Sequence, residues 1–351
     1  MIMGSKKRLL LSFFICGCLC LGACRNADPG SDSAISESGS FSEREAAENE
    51  EKDLEEQMRA AGDYLYETVS EPAYGSIGGE WTIIGLKRSG YQTGDAYDGA
   101  YLQSVYNVLE ETEGVLDSNK YTEYSRVILA LTALGEDVSD VNGYNLLEPL
   151  CDFDSVCIQG INGPIWALIA LDSGAYELPK DQEASTPTTR ESFISYILDA
   201  QLDTGGWSFS SGEADADLTA MAIQALAGYV DDRDDVKTTV EKALEVLSGM
   251  QQESGGFASW GEESLESAAQ VLVALSAVEI DPEKDPRFIK NGNSVYDALI
   301  SYANENGSFC HTIEQGENLM ATEQAYYAMT AYDRMLNGET FLYDMTDVMR
   351  E

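Results

Sequence analysis

The chain has 351 residues, of which 44% are hydrophobic, and a formal net charge of −41 at pH 7. This length and apolar content suffice for one large packed domain, whereas the negative charge argues against binding to the phosphate backbone of nucleic acid. A disulfide-rich scaffold is also excluded, because four of the seven cysteines lie within the first 24 residues.

The N-terminus carries the pattern of an export signal. Three basic residues, 6–8, precede an apolar run, 9–21, that is too short to span a membrane. With Leu21-Gly22-Ala23-Cys24 at its end, the segment resembles a bacterial lipoprotein signal. This resemblance implies removal of residues 1–23, a lipid on Cys24, and an extracytoplasmic protein whose partner is the lipid bilayer of the bacterial cell membrane.

Residues 24–52 comprise the lipidated cysteine and a predicted acidic tether. From residue 25 onward the segment is rich in Ser, Glu, Asp and Ala, and Phe41 is its single aromatic residue. Such a composition buries too little apolar surface to offset the entropy lost on ordering. We therefore expect a disordered linker that holds the folded domain about 30 Å from the membrane.

From Asp53 onward, two kinds of predicted helix alternate. One kind has a single apolar stripe, as formed by Val236, Val240 and Leu247, and is expected to keep one face in water. The other kind, as in 165–171, is apolar on nearly all sides and must be enclosed. The half-exposed helices are predicted at 53–70, 97–116, 144–150, 190–201, 235–250 and 294–303. The enclosed helices are predicted at 81–88, 124–134, 164–171, 217–229, 264–278 and 319–335.

A glycine-rich turn with an aromatic residue precedes each of the last three enclosed helices. These turns read Gly205-Gly206-Trp207-Ser208-Phe209, Gly255-Gly256-Phe257 and Asn306-Gly307-Ser308-Phe309. Repetition at intervals of about fifty residues is typical of stacked helical units. Two concentric rings of six helices, an all-α α6/α6 toroid, satisfy both burial classes. A superhelical solenoid is the alternative, although solenoids usually repeat at shorter and more regular intervals.

At this point the sequence resembles a known superfamily. The first of these turns, followed by Asp215-Ala216-Asp217-Leu218-Thr219-Ala220-Met221-Ala222, looks like the repeats of terpenoid cyclases and protein prenyltransferases. The same superfamily includes the squalene-type cyclases and the cobalamin-binding domain of transcobalamin. The resemblance covers Asp53 to Met335 and implies one prenyltransferase-like toroid domain at 53–351.

The first function that the resemblance implies is terpenoid cyclisation. Squalene-type cyclases protonate their substrate with the middle aspartate of an Asp-x-Asp-Asp motif, whose burial raises its pKa. Asp215 and Asp217 match the first two acidic positions, with Asp217 as the acid, but Leu218 occupies the third. Asp217 also suits the N-cap of a helix, a purely structural role.

Prenyl transfer is the second implied function. Protein prenyltransferases bind zinc through an Asp-x-Cys pair and a distant histidine, whereas this chain has one histidine, His311, directly after Cys310. No acidic residue stands two positions before that cysteine, so no metal site is predicted. The stretch 231–235 also matches the DDxxD pattern of diphosphate enzymes, but it is expected to lie in a solvated turn.

The third implied function is ligand binding, as in transcobalamin, with cobalamin as a candidate ligand. The N-termini of parallel inner helices and the turns before them meet at one rim, where positive helix ends and aromatic faces suit a small organic ligand. The candidate aromatic residues at this rim are Trp81, Trp207, Phe209, Phe257, Trp260 and Phe309. The candidate polar partners are Glu80, Asp215, Asp217, Glu263 and His311. These aromatic residues can equally serve to plug the rim.

A fourth possibility is carbohydrate chemistry, because α6/α6 toroids also serve glycosidases and polysaccharide lyases. Glu80 and Asp217 could act as acid and base if about 5 to 10 Å apart.

Taken together, the sequence predicts a lipid-anchored toroid that binds a small organic ligand or a cell-surface partner at an aromatic rim. Cyclase-like, prenyltransferase-like and carbohydrate-active enzymes are the alternatives.

Overall fold

A computed structural model of the protein describes residues 38–180, 184–209, 212–259 and 261–348, with side chains from residue 53 onward. The chain divides into two units, Met1–Glu48 and Asn49–Glu351. The predicted signal peptide, Cys24 and the first part of the predicted tether lie outside the described residues, as does Trp260.

The first helix, α1, spans Ser38–Thr68 and so begins before the predicted start at Asp53. Its early part falls within the segment 24–52, for which the sequence predicts a disordered linker. Residues 43–51 consist largely of Glu and Ala, which have high intrinsic helix propensity, and this favours a helix although few apolar side chains are present.

The remaining helices alternate between an outer and an inner set, with α1 in the outer set. The other outer helices are α3 (Asp95–Glu111), α5 (Phe153–Val156), α7 (Arg190–Asp199), α9 (Asp234–Met250) and α11 (Val295–Ile300). The inner helices are α2 (Trp81–Arg88), α4 (Thr122–Ala133), α6 (Asn162–Ser173), α8 (Ala216–Leu226), α10 (Leu265–Ala277) and α12 (Leu319–Leu336). One short antiparallel hairpin, β1 (Ala258–Ser259) with β2 (Glu262–Glu263), precedes α10. No described helix is long and apolar enough to cross a membrane.

The inner helices form a closed ring. Each packs against the next in chain order, from α2 through α4, α6, α8 and α10 to α12, and α12 packs against α2. Nearly every residue of α6, α8 and α10 is buried, whereas α9 buries only one stripe, Val236, Val240, Ala243, Leu244 and Leu247. The predicted α/α toroid is thus confirmed.

The third outer helix differs from the prediction. In place of a helix at 144–150, Val141 and Tyr144 form an isolated antiparallel bridge, and a 3-10 turn follows at Glu148–Cys151. The Asn145 side chain accepts a hydrogen bond from the Leu147 N–H (3.0 Å), a local turn that competes with a helix. Pro149 provides no N–H for a helical hydrogen bond, so the outer layer here is built from short turns and α5.

The three glycine-aromatic turns share one backbone conformation. Gly205, Gly255 and Gly307 have φ values of 112°, 86° and 85°, a region that L side chains rarely adopt. A Cβ atom on Gly307 would lie 2.2 Å from the Ala60 carbonyl oxygen of α1. The glycines therefore permit both the turn and the close approach of the neighbouring helix.

We predict that Gly307→Ala lowers the free energy of unfolding by at least about 2 kcal/mol, because it adds both a left-handed strain and a clash with Ala60. Urea unfolding of the purified protein measures this change. Gly316→Ala is the matched control, since its Cβ would meet no atom within 4 Å. Equal stability of the two variants would contradict the structural role of the turn.

Candidate functional site

Carboxylates gather where the inner helices begin. Glu80 directly precedes α2, the first turns of α4, α8 and α10 contain Glu123, Asp217 and Glu266, and Glu323 lies in the second turn of α12. Negative charge is favourable at helix N-termini, where backbone N–H groups are unpaired. Because each outer helix returns the chain to the same side, these carboxylates lie at one end of the ring, which we call the acidic rim.

One half of the acidic rim is internally neutralised. Arg126 of α4 forms ion pairs with Glu80 (2.8 Å) and Glu123 (2.5 Å). The fully buried Glu80 carboxylate also accepts hydrogen bonds from the Gly75 N–H (3.0 Å) and the Tyr101 hydroxyl (3.2 Å). Glu80 is thus bound by three partners within the domain: Arg126, Gly75 and Tyr101.

That cavity lies on the other half of the acidic rim, at the start of α8, α10 and α12. Its volume is about 390 Å³. Its lining combines acidic, hydroxyl, amide and imidazole groups with one apolar side chain. The lining residues are Asp217, Ser259, Glu262, Ser264, Glu266, His311, Met320 and Gln324.

Two aspartates at the start of α8 have different roles. Asp215 is the N-cap: its carboxylate accepts hydrogen bonds from the Leu218 N–H (2.9 Å) and the Ser259 hydroxyl (3.1 Å). Asp217 lies two residues further on, so the structural role suggested for it by the sequence belongs to Asp215 instead. The Oδ1 atom of Asp217 is buried and has no hydrogen-bond partner among the described residues.

Burial raises the pKa of Asp217 above its ordinary value, and the neighbouring charges of Asp215 and Glu266 add to this shift. The hydroxyls of Ser267 and Ser259 oppose it. A carboxyl group of this kind holds its proton more tightly than an exposed aspartate does. It is therefore equipped to donate a hydrogen bond or a proton into the cavity.

Glu266 and His311 form a carboxylate–imidazole pair. The distance from Glu266 Oε2 to His311 Nδ1 is 2.6 Å, and the histidine side chain is 37% exposed. The pair fixes the orientation of the imidazole, so that its other ring nitrogen is available for a ligand. Glu266 Oε1 is buried and lacks a hydrogen-bond partner in the described part of the chain.

Most of the predicted rim aromatics lie elsewhere. Trp207, Phe257 and Phe309 have no exposed surface, and the Trp207 indole N–H donates to the Ile197 carbonyl of α7 (2.7 Å). They belong to the hydrophobic core and are not among the residues that line the cavity of the acidic rim. Phe209 is 52% exposed and lines no cavity described for the protein.

Aromatic side chains instead fill the middle of the inner ring. Trp81 of α2 contacts Trp166 of α6 (5.3 Å between ring centroids) and Tyr327 of α12 (5.5 Å). Because α6 is not adjacent to α2 in the ring, the contact between Trp81 and Trp166 must cross its centre. We call Trp81, Trp166 and Tyr327 the aromatic plug. Trp81 was expected at the rim, whereas the sequence did not single out Trp166 or Tyr327.

Glu323 of α12 helps to close the ring of inner helices. Its Oε1 accepts hydrogen bonds from the Gly78 N–H (2.9 Å) and the Thr82 hydroxyl, while its Oε2 has no partner among the described residues. Burial raises the pKa of Glu323 from 4.5 to about 7. Glu323 is next to Gln324 of the cavity and links α12 to α2.

Known proteins share this architecture. Residues 153–297 match the family profile of the prenyltransferase alpha-alpha toroid domain. The matched residues cover part of the toroid, from α5 to the start of α11. A search of curated proteins found no match.

Three solved structures have the same fold as this toroid. Type II terpene cyclase MstE from Scytonema is 13% identical, with a TM-score of 0.51, and the match covers 80% of this chain and 99% of the cyclase. An unsaturated glucuronyl hydrolase from Bacillus sp. GL1 is 15% identical, with a TM-score of 0.51, covering 82% and 97%. A polysaccharide lyase is 11% identical, with a TM-score of 0.53, covering 82% and 98%.

The sequence missed several cavity residues, namely Glu262, Ser264, Glu266, Met320 and Gln324. One signal could have found part of the set: Asp217 and Glu266 stand in the first turn, and Glu323 in the second turn, of otherwise enclosed helices. A charged residue there must be paired or face a cavity, because an isolated buried charge is costly.

The toroid should lose stability as the pH rises through the range in which Glu323 ionises. The folded state binds the proton of Glu323 more tightly than the unfolded state does. Protonated Glu323 therefore contributes its full stabilisation to the folded state below pH 4.5, and this stabilisation is lost by about pH 7. The variant Glu323→Gln cannot ionise. We predict that its free energy of unfolding falls with rising pH by up to about 3 kcal/mol less than that of the parent protein.

Urea unfolding at pH 4 and pH 8 measures the effect for Glu323→Gln and the parent protein. Glu241→Gln, on the exposed face of α9, is the control. The prediction fails if the variant and the parent show the same change in stability between the two pH values.

Proposed function

We propose that this protein binds a small polyhydroxylated ligand, such as a sugar, in the cavity of the acidic rim, while a lipid on Cys24 holds it at the outer face of the bacterial cell membrane. The observation that carries the proposal is the pair of buried acceptors without partners, Asp217 Oδ1 and Glu266 Oε1. Leaving such atoms unsatisfied costs about 1 to 3 kcal/mol each. A ligand that donates hydrogen bonds to both would recover that energy.

The other lining groups favour a polyol over a simple cation. Ser259, Ser264 and Gln324 can each donate as well as accept hydrogen bonds, and a sugar hydroxyl does both. Met320 adds an apolar surface suited to the carbon face of a sugar ring. A bare ammonium group would leave these donors unused.

The aromatic plug argues against a long isoprenoid substrate. Trp81, Trp166 and Tyr327 occupy the ring centre, so in the described part of the chain an apolar tail has no path from Asp217 into the ring. Cobalamin stays a predicted candidate, but it is larger than the cavity of about 390 Å³ and could enter only by one edge. In the described residues, no group of three His, Cys, Asp or Glu side chains is arranged to hold a metal ion.

Acid–base hydrolysis of a glycoside is a second candidate function, favoured by the raised pKa of Asp217 beside the Glu266–His311 pair. In such a reaction a protonated carboxyl group donates its proton to the leaving oxygen, and a second group activates water. Asp217 is the candidate acid, and the Glu266–His311 pair is the candidate base.

We expect the mature protein to bind a neutral saccharide saturably, as measured by calorimetry against a panel of mono- and disaccharides. Asp217→Leu, which removes the acceptor but keeps the branched shape of the side chain, should weaken binding by about tenfold or more. Asp232→Leu, in an exposed turn, is the matched control. Binding that is unchanged in Asp217→Leu, or absent for the whole panel, would overturn the proposal.

Asp217→Asn separates binding from catalysis, because the amide keeps an acceptor oxygen but cannot donate a carboxyl proton. If the saccharide is hydrolysed by the parent protein, Asp217→Asn should retain binding and lose turnover. Bound saccharide recovered intact from the parent protein would rule out the hydrolytic candidate and leave binding alone.

The lipid anchor predicts a clear change in partitioning. The full-length precursor, expressed in a bacterium that processes lipoproteins, should enter the detergent phase, and Cys24→Ser should move it to the aqueous phase. An acyl chain contributes about 0.8 kcal/mol per buried CH2 group, so its loss is decisive. Cys20→Ser, inside the predicted signal peptide, is the control. Identical partitioning of all three proteins would refute the anchor.

A further inference from the structure

A second cavity lies at the opposite end of the ring, where α6 and α8 finish. Its volume is about 490 Å³. One wall is a C-terminal segment, residues 339–348, which we call the strap. The residues that line this cavity are Ile169, Asp172, Ala175, Glu177, Arg190, Gln224, Ala225, Gly228, Tyr229, Phe341, Tyr343, Asp344 and Thr346.

Two buried arginines hold the strap in place. The Arg88 guanidinium donates to the carbonyl oxygens of Leu342 (2.9 Å) and Asp344 (2.9 Å) and forms an ion pair with Asp347 (2.9 Å). Arg334 pairs with the same Asp347 carboxylate (3.0 Å). These charge-assisted bonds make the strap a fixed wall of the cavity.

Two residues that line the cavity each contain a buried polar atom without a partner in the described part of the chain. Gln224 and Tyr343 are each 3% exposed, yet Gln224 Oε1 and the Tyr343 hydroxyl have no hydrogen-bond partner among the described residues. The Gln224 amide nitrogen donates to the Gln270 carbonyl (3.0 Å), which fixes the opposite atom as the acceptor. Buried polar groups are normally paired, so this arrangement indicates a missing donor.

The charges around this cavity favour a cation. Asp172, Glu177 and Asp344 supply negative charge, and the one basic group of its lining, Arg190, is already engaged: it pairs with Asp172 (2.7 Å) and donates to the Tyr176 carbonyl (2.6 Å). An anion would therefore meet repulsion without a free basic partner.

The apolar part of the lining indicates that the ligand also carries an apolar group. The Phe341 and Tyr343 rings pack edge to face at 5.5 Å, and Tyr229, Ile169 and Ala225 extend the apolar surface. Aromatic faces attract cations as well as apolar groups.

We propose that this cavity is a second ligand site, which takes a hydrophobic organic amine. Its ammonium group donates to Gln224 Oε1 and the Tyr343 hydroxyl oxygen, and its apolar body lies against Phe341 and Tyr229. The site is separate from the acidic rim, because the aromatic plug, whose Trp166 ring contacts Tyr343 (5.9 Å), lies between the two ends of the ring.

The test uses the mature protein with 4-phenylbutylammonium and its matched anion, 4-phenylbutanoate, in calorimetric titrations. We expect one saturable site for the amine and binding at least about tenfold weaker for the carboxylate. Gly228→Trp should abolish amine binding by filling the cavity, because a side chain there meets no atom within 4 Å and the glycine lies on its lining. Gly249→Trp, on α9 and equally open, is the matched control.

Two further variants keep the test decisive. Gln224→Met, which removes the acceptor at similar volume, should weaken amine binding by about three- to tenfold even if Gly228→Trp proves unstable. Asp217→Leu should leave amine binding unchanged, which separates this site from the acidic rim. The proposal is overturned by absence of saturable amine binding, by equal binding of the carboxylate, or by amine binding that survives both Gly228→Trp and Gln224→Met.

Discussion

The contact between α2 and α12 is the constraint on which the rest of the fold depends. A ring of helices buries its apolar inner surfaces only if its first and last members meet. Here α2 and α12 meet through hydrogen bonds and a close approach of the two helices. Glu323 accepts hydrogen bonds from the Gly78 N–H just before α2 and from the Thr82 hydroxyl of α2, and the Ser89 and Tyr326 hydroxyls lie 2.7 Å apart. A Cβ atom on Gly85 would lie 2.9 Å from the Tyr326 ring, so glycine is what allows the two helices to approach.

Closure has a chemical consequence at each end of the ring. At one end it gathers helix N-termini, and with them a set of carboxylates that share little basic compensation beyond Arg126. At the other end, where helix C-termini would be left open, Arg88 and Arg334 bind carbonyl oxygens and carboxylates of the strap. The two ends therefore differ in the groups that line them, although they belong to one ring, and they are suited to different ligands.

The fold was largely readable from the sequence, because the enclosed helices are apolar on all sides and the half-exposed ones are not. The apolar stripe of α9 was predicted at Val236, Val240 and Leu247, and all three are buried. The third outer helix was not, since local hydrogen bonding at Asn145 and the proline at 149 outweigh its apolar content. The site was less predictable. Asp217 and His311 could be identified as polar residues at the rim, but whether Trp207 or Trp166 faces the ring centre depends on packing between distant helices.

The strap also bears on how this domain reaches its native state. The contacts that close the ring join residues far apart in sequence: Arg88 meets Asp347 at a separation of 259 residues, and Thr82 meets Glu323 at 241. Bringing such distant segments together costs chain entropy before any contact compensates for it, and high contact order slows folding. A nascent chain cannot complete the ring until α12 has been synthesised. The domain thus remains open, with its inner helices exposed, for most of its synthesis.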